Sequence, residues 1–268
     1  MELPAYANRP QHEKAGWYSP AAEAYVRARP KYPSSLITAV SAVAGIGANT
    51  RLLEIGSGPG TATRAFAPSG ASIVCVEPNV DFVAIARRDL ANYPQMSFVV
   101  SSFEDAVVPG SFDVMLAATS FHWINPERGV ARIKALLNEG GCVLLLWNKE
   151  PQPIPEQIET IKDAFRRAEF PLLAKPVSKV GAVDGLSRLA DPLRQHGFKE
   201  RILCYTETHL SYDVETFVCL HQSLSPYLAL SRAEQERATK VLGQCLTDLP
   251  GGTIYTSHVS VGQVFQVN

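Results

Sequence analysis

From the first apolar run to Asn148 the chain alternates nearly continuous apolar runs with stretches whose apolar residues recur every three or four positions. "TRLLEIG", "SIVCVEP", "MSFVVSS", "FDVMLAA" and "GGCVLLLWN" predict five buried strands. A glycine turn and a short helix from Thr61 follow the first. "NVDFVAIARRDLANY" predicts a helix with Phe82, Val83, Ala86 and Leu90 on one side. Asn125 offers an N-cap, with Pro126 at the first helical position, for "PERGVARIKALL". Apolar strands joined by amphipathic helices predict an α/β fold with a doubly wound, mostly parallel sheet covered on both faces.

The pattern changes after Lys149. "EPQPIPEQ" is a proline-rich link into a helix near Ile158 to Arg167. A strand is predicted from about Arg201 to Thr208, then helices around Val214 to Leu224 and Arg232 to Leu246. "TIYTSHVSVGQVFQVN" alternates like a long terminal strand. The expected organisation is an N-terminal helical lid over residues 1–48, a cofactor-binding core over 49–150, and remaining core strands with an inserted helical cap over 151–268.

Composition narrows the function classes. The chain has 268 residues, 46% hydrophobic and 19% charged, which suits a full globular core. A net charge of −1 gives no long-range pull toward nucleic acid or an anionic membrane. "MELPAYANRPQHEKAGW" lacks a signal-peptide core, and no apolar run approaches the roughly 20 residues of a membrane span. Cys75, Cys142, Cys204, Cys219 and Cys245 are scattered without a C-x-x-C pair. The expectation is a cytoplasmic protein with reduced thiols, no metal site, no nucleic-acid or membrane partner and a small-molecule substrate. The oligomeric state is not legible.

Chemistry concentrates in "LLEIGSGPGTATRAFA", where Gly56, Gly58 and Gly60 alternate at the end of a predicted strand. Bare backbone at a strand's carboxyl edge, opening a helix, suits a ligand bearing a nucleoside. Glu77 closes the second strand, where a carboxylate can accept both hydrogens of a ribose diol. The plain alternative is a tight turn. The dinucleotide pattern G-x-G-x-x-G wants glycine at position 61, where Thr61 stands. Glu54, an acid just before the glycines, suits a cationic cofactor better than a pyrophosphate.

"LLEIGSGPGTAT" resembles the first motif of class I S-adenosylmethionine-dependent methyltransferases. "VEPN" resembles their second-strand acid and "SSFED" their adenine segment. "FDVMLAATSFHWINPERGVARIKALLNEGGCVLLLWN" is similar to the matching part of the small-molecule "type 11" branch, and F-H-W, W-N and "YVRARPKYP" resemble its trans-aconitate methyltransferase-like members. One departure is Glu139 in "LNEGG", where the family usually has proline. The resemblance implies a seven-stranded Rossmann-like methyltransferase sheet, S-adenosyl-L-methionine as cofactor, and methyl transfer to a small molecule, a carboxylate or a hydroxyl. It implies that Glu54, Gly56, Ser57 and Gly58 line the methionine end. Glu77 would bind ribose, with Pro78 and Asn79 on the adenine side. Ser102 and Phe103 would flank adenine, and Ala118 and Thr119 would offer backbone to the methionine amine.

Other readings of these residues stay open. Phe103 is either an adenine platform or core. His122 is either a substrate-side base or positioner, or a structural pair with Trp123. Tyr25, Arg27, Arg29, Tyr32 and Trp123 are either substrate and lid contacts, with both arginines clamping a carboxylate, or ordinary structure. Trp147 reads as core. Two other functions remain: a non-catalytic S-adenosylmethionine-binding protein and a nicotinamide-dependent oxidoreductase.

Overall fold

The computed structural model describes residues 15–170, 178–247 and 249–267. The first 14 residues of the expected lid and Asn268 of the terminal strand lie outside the described residues. Eight strands form in chain order: β1 (Arg51–Ile55), β2 (Ser72–Glu77), β3 (Met96–Val100), β4 (Phe112–Ala118), β5 (Leu137–Asn148), β6 (Gln152–Pro153), β7 (Phe198–Asp213) and β8 (Thr253–Val267). The expected count of seven misses only the two-residue β6. β7 is longer at both ends than its apolar run announces, because its middle alternates between exposed and half-buried residues.

The chain divides into two compact units. The larger holds Lys31–Lys149, Ser178–Thr206 and Val259–Asn268; the smaller holds Met1–Pro30, Glu150–Val177 and Glu207–His258, as far as these are described. The expected boundary near residue 48 is therefore displaced to Pro30. The helix Ser34–Ala44 belongs with the sheet, where Leu36 and Val40 are fully buried.

In the larger unit the strand order is β3-β2-β1-β4-β5-β8. The first five run parallel, and β8 closes antiparallel to β5, from Cys142 opposite Gln266 to Asn148 opposite Ser260. Successive strand residues face opposite sides, so a sheet covered twice must be apolar at every position. Leu52, Ile73, Leu116, Leu144 and Val264 point into one core with Leu36, Val40 and Phe66. Leu53, Val74, Met115, Leu145 and Phe265 point into the other with Val130, Ile133 and Leu193. Each such side chain contributes about 1.5–3 kcal/mol by leaving water.

Asn125 caps the helix Pro126–Leu136 by accepting from the Arg128 N–H, as its sequence predicts. The helices Lys179–Ser187 and Asp191–Gln195 are not announced by the sequence. Gly181 and Gly185 each cost a helix roughly 1 kcal/mol relative to alanine. Ala182, Val183 and Leu186 joining the core, and the Ser178 cap, outweigh that.

The smaller unit has its own core of Ile161, Phe165, Phe170, Phe217, Leu242 and Leu246. His221 sits among its aromatic rings, 4.7 Å from Phe165 and 4.5 Å from Phe217 between centroids, and its Nδ1 lies 2.9 Å from the Phe217 carbonyl. Burial lowers its pKa to about 4, so it serves as a neutral, hydrogen-bonded core residue. Among the described residues no helix is long and apolar enough to cross a membrane.

Gly262 lies opposite Leu146 in the β5–β8 ladder. A Cβ there would stand 2.6 Å from Val40 Cγ1 and 3.3 Å from Leu36 Cδ1. Gly262→Ala is expected to destabilise the larger unit by about 1–3 kcal/mol through overpacking. Denaturant unfolding should show a lower midpoint at an unchanged slope.

Candidate functional site

Gly56, Gly58 and Gly60 all take left-handed φ, +64°, +54° and +85°. What surrounds them differs. A Cβ on Gly56 would meet Ser120 Cβ at 2.8 Å, and one on Gly60 would meet Leu90 Cδ1 at 2.9 Å. These two are bare because the protein packs against them. At Gly58 the nearest atom to a Cβ is Phe82 Cδ2 at 4.0 Å, so this residue alone of the three faces open space.

Backbone and side chain fix the turn. The Gly56 and Ser57 N–H groups donate to the Val76 carbonyl at 2.8 and 3.2 Å. The Gly58 N–H donates to Glu77 Oε2 at 2.8 Å, and the Asn79 N–H to Glu77 Oε1 at 2.9 Å. Asn79 Oδ1 accepts from Asp81 and Phe82 N–H, capping the helix Val80–Asp89. Pro78 beside it is half-buried.

Glu54 is fully buried at the end of β1. Its Oε2 accepts from the Thr63 hydroxyl at 2.5 Å, while among the described residues its Oε1 has no hydrogen-bond partner; the buried Ser57 side chain interacts with the Cys75 thiol. Burial pushes the Glu54 carboxyl up to about 8, with the Thr63 hydroxyl pulling it back and the charge of Glu77 adding to the rise. Burial also raises Glu77, to about 7, against the pull of its two backbone donors.

Ser120 and Thr119 close the other side. The Ser120 hydroxyl donates to the Ile55 carbonyl. Thr119 holds a left-handed φ of +55°, rare for a β-branched residue and a form of strain found at functional sites. Its N–H is committed to the Leu146 carbonyl at 2.7 Å, and its Oγ1 lies 2.8 Å from the Tyr32 hydroxyl. Ala118 ends β4 half-buried.

The remaining expected residues fall into two groups. Ser102 is tied into its own turn by a 2.8 Å bond to Asp105. Phe103 is core, 4% exposed, with the Arg132 guanidinium 5.6 Å from its ring centroid. His122 lies 5.7 Å from Trp123 and 5.8 Å from Trp147 between centroids. Its side chain is exposed yet crowded, as on the wall of a concavity, and that crowding lowers its pKa. Trp123 is half-buried and Trp147 is core.

Tyr25, Arg27 and Arg29 belong to the smaller unit. Arg27 pairs with Glu215 at 2.7 Å. Arg29 donates to the Ser223 hydroxyl and carbonyl, both at 2.8 Å, and lies 4.9 Å over the Tyr25 ring. The expected carboxylate clamp of Arg27 and Arg29 is thus corrected. Both guanidinium groups already have protein partners, which a sequence without its tertiary contacts cannot reveal.

Residues 53–145, which include the glycine turn, both acids and the β4 edge, match the model of a methyltransferase domain. They are a class I S-adenosylmethionine-dependent methyltransferase domain. An uncharacterized methyltransferase of Mycobacterium tuberculosis is 30% identical over 132 residues, 49% of this chain and 51% of that protein. The chain thus matches about half the length of that relative. Another uncharacterized methyltransferase, from Schizosaccharomyces pombe, is 22% identical over 227 residues, 84% of this chain and 85% of its own. A solved structure from Anaeromyxobacter dehalogenans, assigned as a type II methyltransferase, shares the fold with a TM-score of 0.62 at 19% identity, covering 88% of this chain and 97% of that one.

The residues present fit S-adenosylmethionine. The open face at Gly58 is a cradle that a Cβ would fill, and Glu54 Oε1 is a buried polar atom without a hydrogen-bond partner among the described residues.

Gly58→Ala is expected to cost roughly 1–2 kcal/mol of stability, from the left-handed φ alone, and to abolish cofactor binding. Gly56→Ala should lose a further ~1–3 kcal/mol through its clash with Ser120. Urea unfolding and calorimetry with S-adenosylhomocysteine separate the two.

The raised carboxyls also set a pH dependence. Between the ordinary value of 4.5 and about 8, folded Glu54 keeps a proton that the unfolded chain releases. Stability should therefore fall as pH rises through that window. Glu54→Gln should flatten the fall in a series of denaturation midpoints against pH.

Proposed function

We propose that this chain transfers a methyl group from S-adenosylmethionine to a small-molecule acceptor. The observation that carries this reading is the open backbone at Gly58 beside two buried acids, one with an unpartnered oxygen. When bound, the cofactor supplies a methyl already activated on a sulfonium sulfur, so the protein's tasks are alignment and exclusion of water.

Glu77 would take the ribose diol on the lone pairs that Gly58 and Asn79 leave free, since each carboxylate oxygen accepts two bonds. Pro78, Asn79 and Ser102 would flank the adenine. Phe103 supports that region from the core rather than offering an open face. Glu54 and Ser57 would face the methionine end. The Thr119 N–H is already spent on Leu146, so the Thr119 carbonyl is the group left to accept from a methionine ammonium.

His122 follows β4 directly and is held neutral by crowding, so it would position an acceptor or take a proton from a hydroxyl without first losing one. A carboxylate acceptor needs no base.

Calorimetry should give saturable binding of S-adenosylhomocysteine and none of NAD. Glu77→Ala should weaken that binding by about 1.5–3 kcal/mol, the scale of hydrogen bonds to a charged group. Unchanged affinity in a folded variant would sink the ribose assignment. Mass spectrometry of a panel of small acids and alcohols incubated with the labelled cofactor then tests turnover.

A further inference from the structure

Within the larger unit, a pocket of about 220 Å³ is lined in part by the segment that follows Ser120. Its lining includes Phe121, His122, Ile124, Arg188, Leu189 and Pro192. The first wall continues the chain from Ser120, the residue that packs on Gly56 and donates to the Ile55 carbonyl. An occupant therefore sits against the segment that closes the glycine turn. The second wall is the turn Arg188–Ala190 and the start of the helix Asp191–Gln195.

The lining is apolar except for one cation and one imidazole. Of the acids on the neighbouring helices, Asp184 is exposed, and Asp191 and Glu127 have partners of their own. Asp191 pairs with Arg194 at 2.7 Å, and Glu127 lies 3.4 Å from the His196 ring. The Arg188 guanidinium makes no hydrogen bond or ion pair among the described residues, while its backbone is spent on the helix ends around it. An arginine fork at the rim of an apolar pocket matches a carboxylate in bidentate fashion. At 220 Å³ the space falls below the ~300 Å³ at which sites for drug-sized ligands begin, so the occupant is small.

We infer that this pocket is the acceptor subsite for a small apolar acid, its carboxylate on Arg188 and its hydrocarbon or aromatic body on Phe121, Ile124 and Leu189. The inference rests on the methyl-transfer reading for the word acceptor, but not for the acid site itself. His122 adds a hydrogen-bonding group to the same lining. Arg188 brings its one permanent charge.

Phenylacetate and its neutral isostere phenylacetamide are suitable probes, followed by tryptophan fluorescence, because Trp123 and Trp147 flank His122. Titrations run with and without S-adenosylhomocysteine. The wild-type chain should bind the acid at least about tenfold more tightly than the amide, a difference of about 1.4 kcal/mol. Arg188→Gln should erase that preference and Arg188→Lys restore part of it, while both keep wild-type affinity for S-adenosylhomocysteine. An acid that leaves the wild-type fluorescence unmoved, or a preference that survives Arg188→Gln, would overturn the acid site. Failure of the wild-type chain to bind S-adenosylhomocysteine would instead overturn the methyl-transfer reading, and the acceptor role with it.

Discussion

The carboxylate of Glu77 lies between two backbone donors, the N–H of Gly58 from the turn after β1 and its neighbour Asn79's N–H after β2. This joint sets the ligand edge of the sheet. It holds Gly58 where its bare face stays open, and it places Asn79 to cap the helix Val80–Asp89. That helix in turn presents Ala86, and Leu90 just past its end, to Gly60, which has no room for a Cβ. Strand, turn and helix are thus locked by one buried acid, and the same acid keeps lone pairs for a ligand. Fold and cofactor recognition share atoms, so neither can drift without the other.

Two buried carboxyls at one site are costly to ionise. Among the described residues neither Glu54 nor Glu77 makes an ion pair, and burial raises both above the ordinary carboxylate range. On the proposed function a cationic methionine end would favour the ionised form of Glu54, whereas a pyrophosphate would add like charge to an already costly pair. This electrostatic argument is independent of the missing glycine at Thr61, and it points the same way, against a dinucleotide. The fixed, left-handed Thr119 completes the arrangement by committing its N–H inward and leaving its carbonyl as an acceptor.

Much of this was legible in the sequence, for definite reasons. Strands covered on both faces are apolar at every position, so β1, β2, β4 and β5 stand out as runs. Asn125-Pro126 announces its helix because the cap is local. The reasons for Gly56 and Gly60 are not local. Ser120 and Leu90 reach them from distant parts of the chain, so the packing that keeps them bare does not show in the sequence. The partners of Arg27 and Arg29 are hidden for the same reason, since Glu215 and Ser223 lie far along the chain. The helix Lys179–Ser187 was hidden by its glycines and Asp191–Gln195 by its shortness, and with them went Arg188.

That hidden segment bears on how specificity is built. The residues proposed to hold the cofactor fall within the stretch that matches the methyltransferase domain, 53–145, and the turn they form is fixed largely through backbone groups that side-chain changes hardly alter. The pocket has one wall from that stretch, Phe121 to Ile124, and a second from Arg188 to Pro192, beyond the match. Arg188 is exposed and Leu189 only half-buried, so the second wall can change its charge and shape at small cost to the core. Phe121, buried and bonded through its chain neighbour Ser120 to the glycine turn, cannot. On the proposed function, methyl donation would be set by the sheet's ligand edge, and the choice of acceptor would be left to a wall whose residues are free to differ.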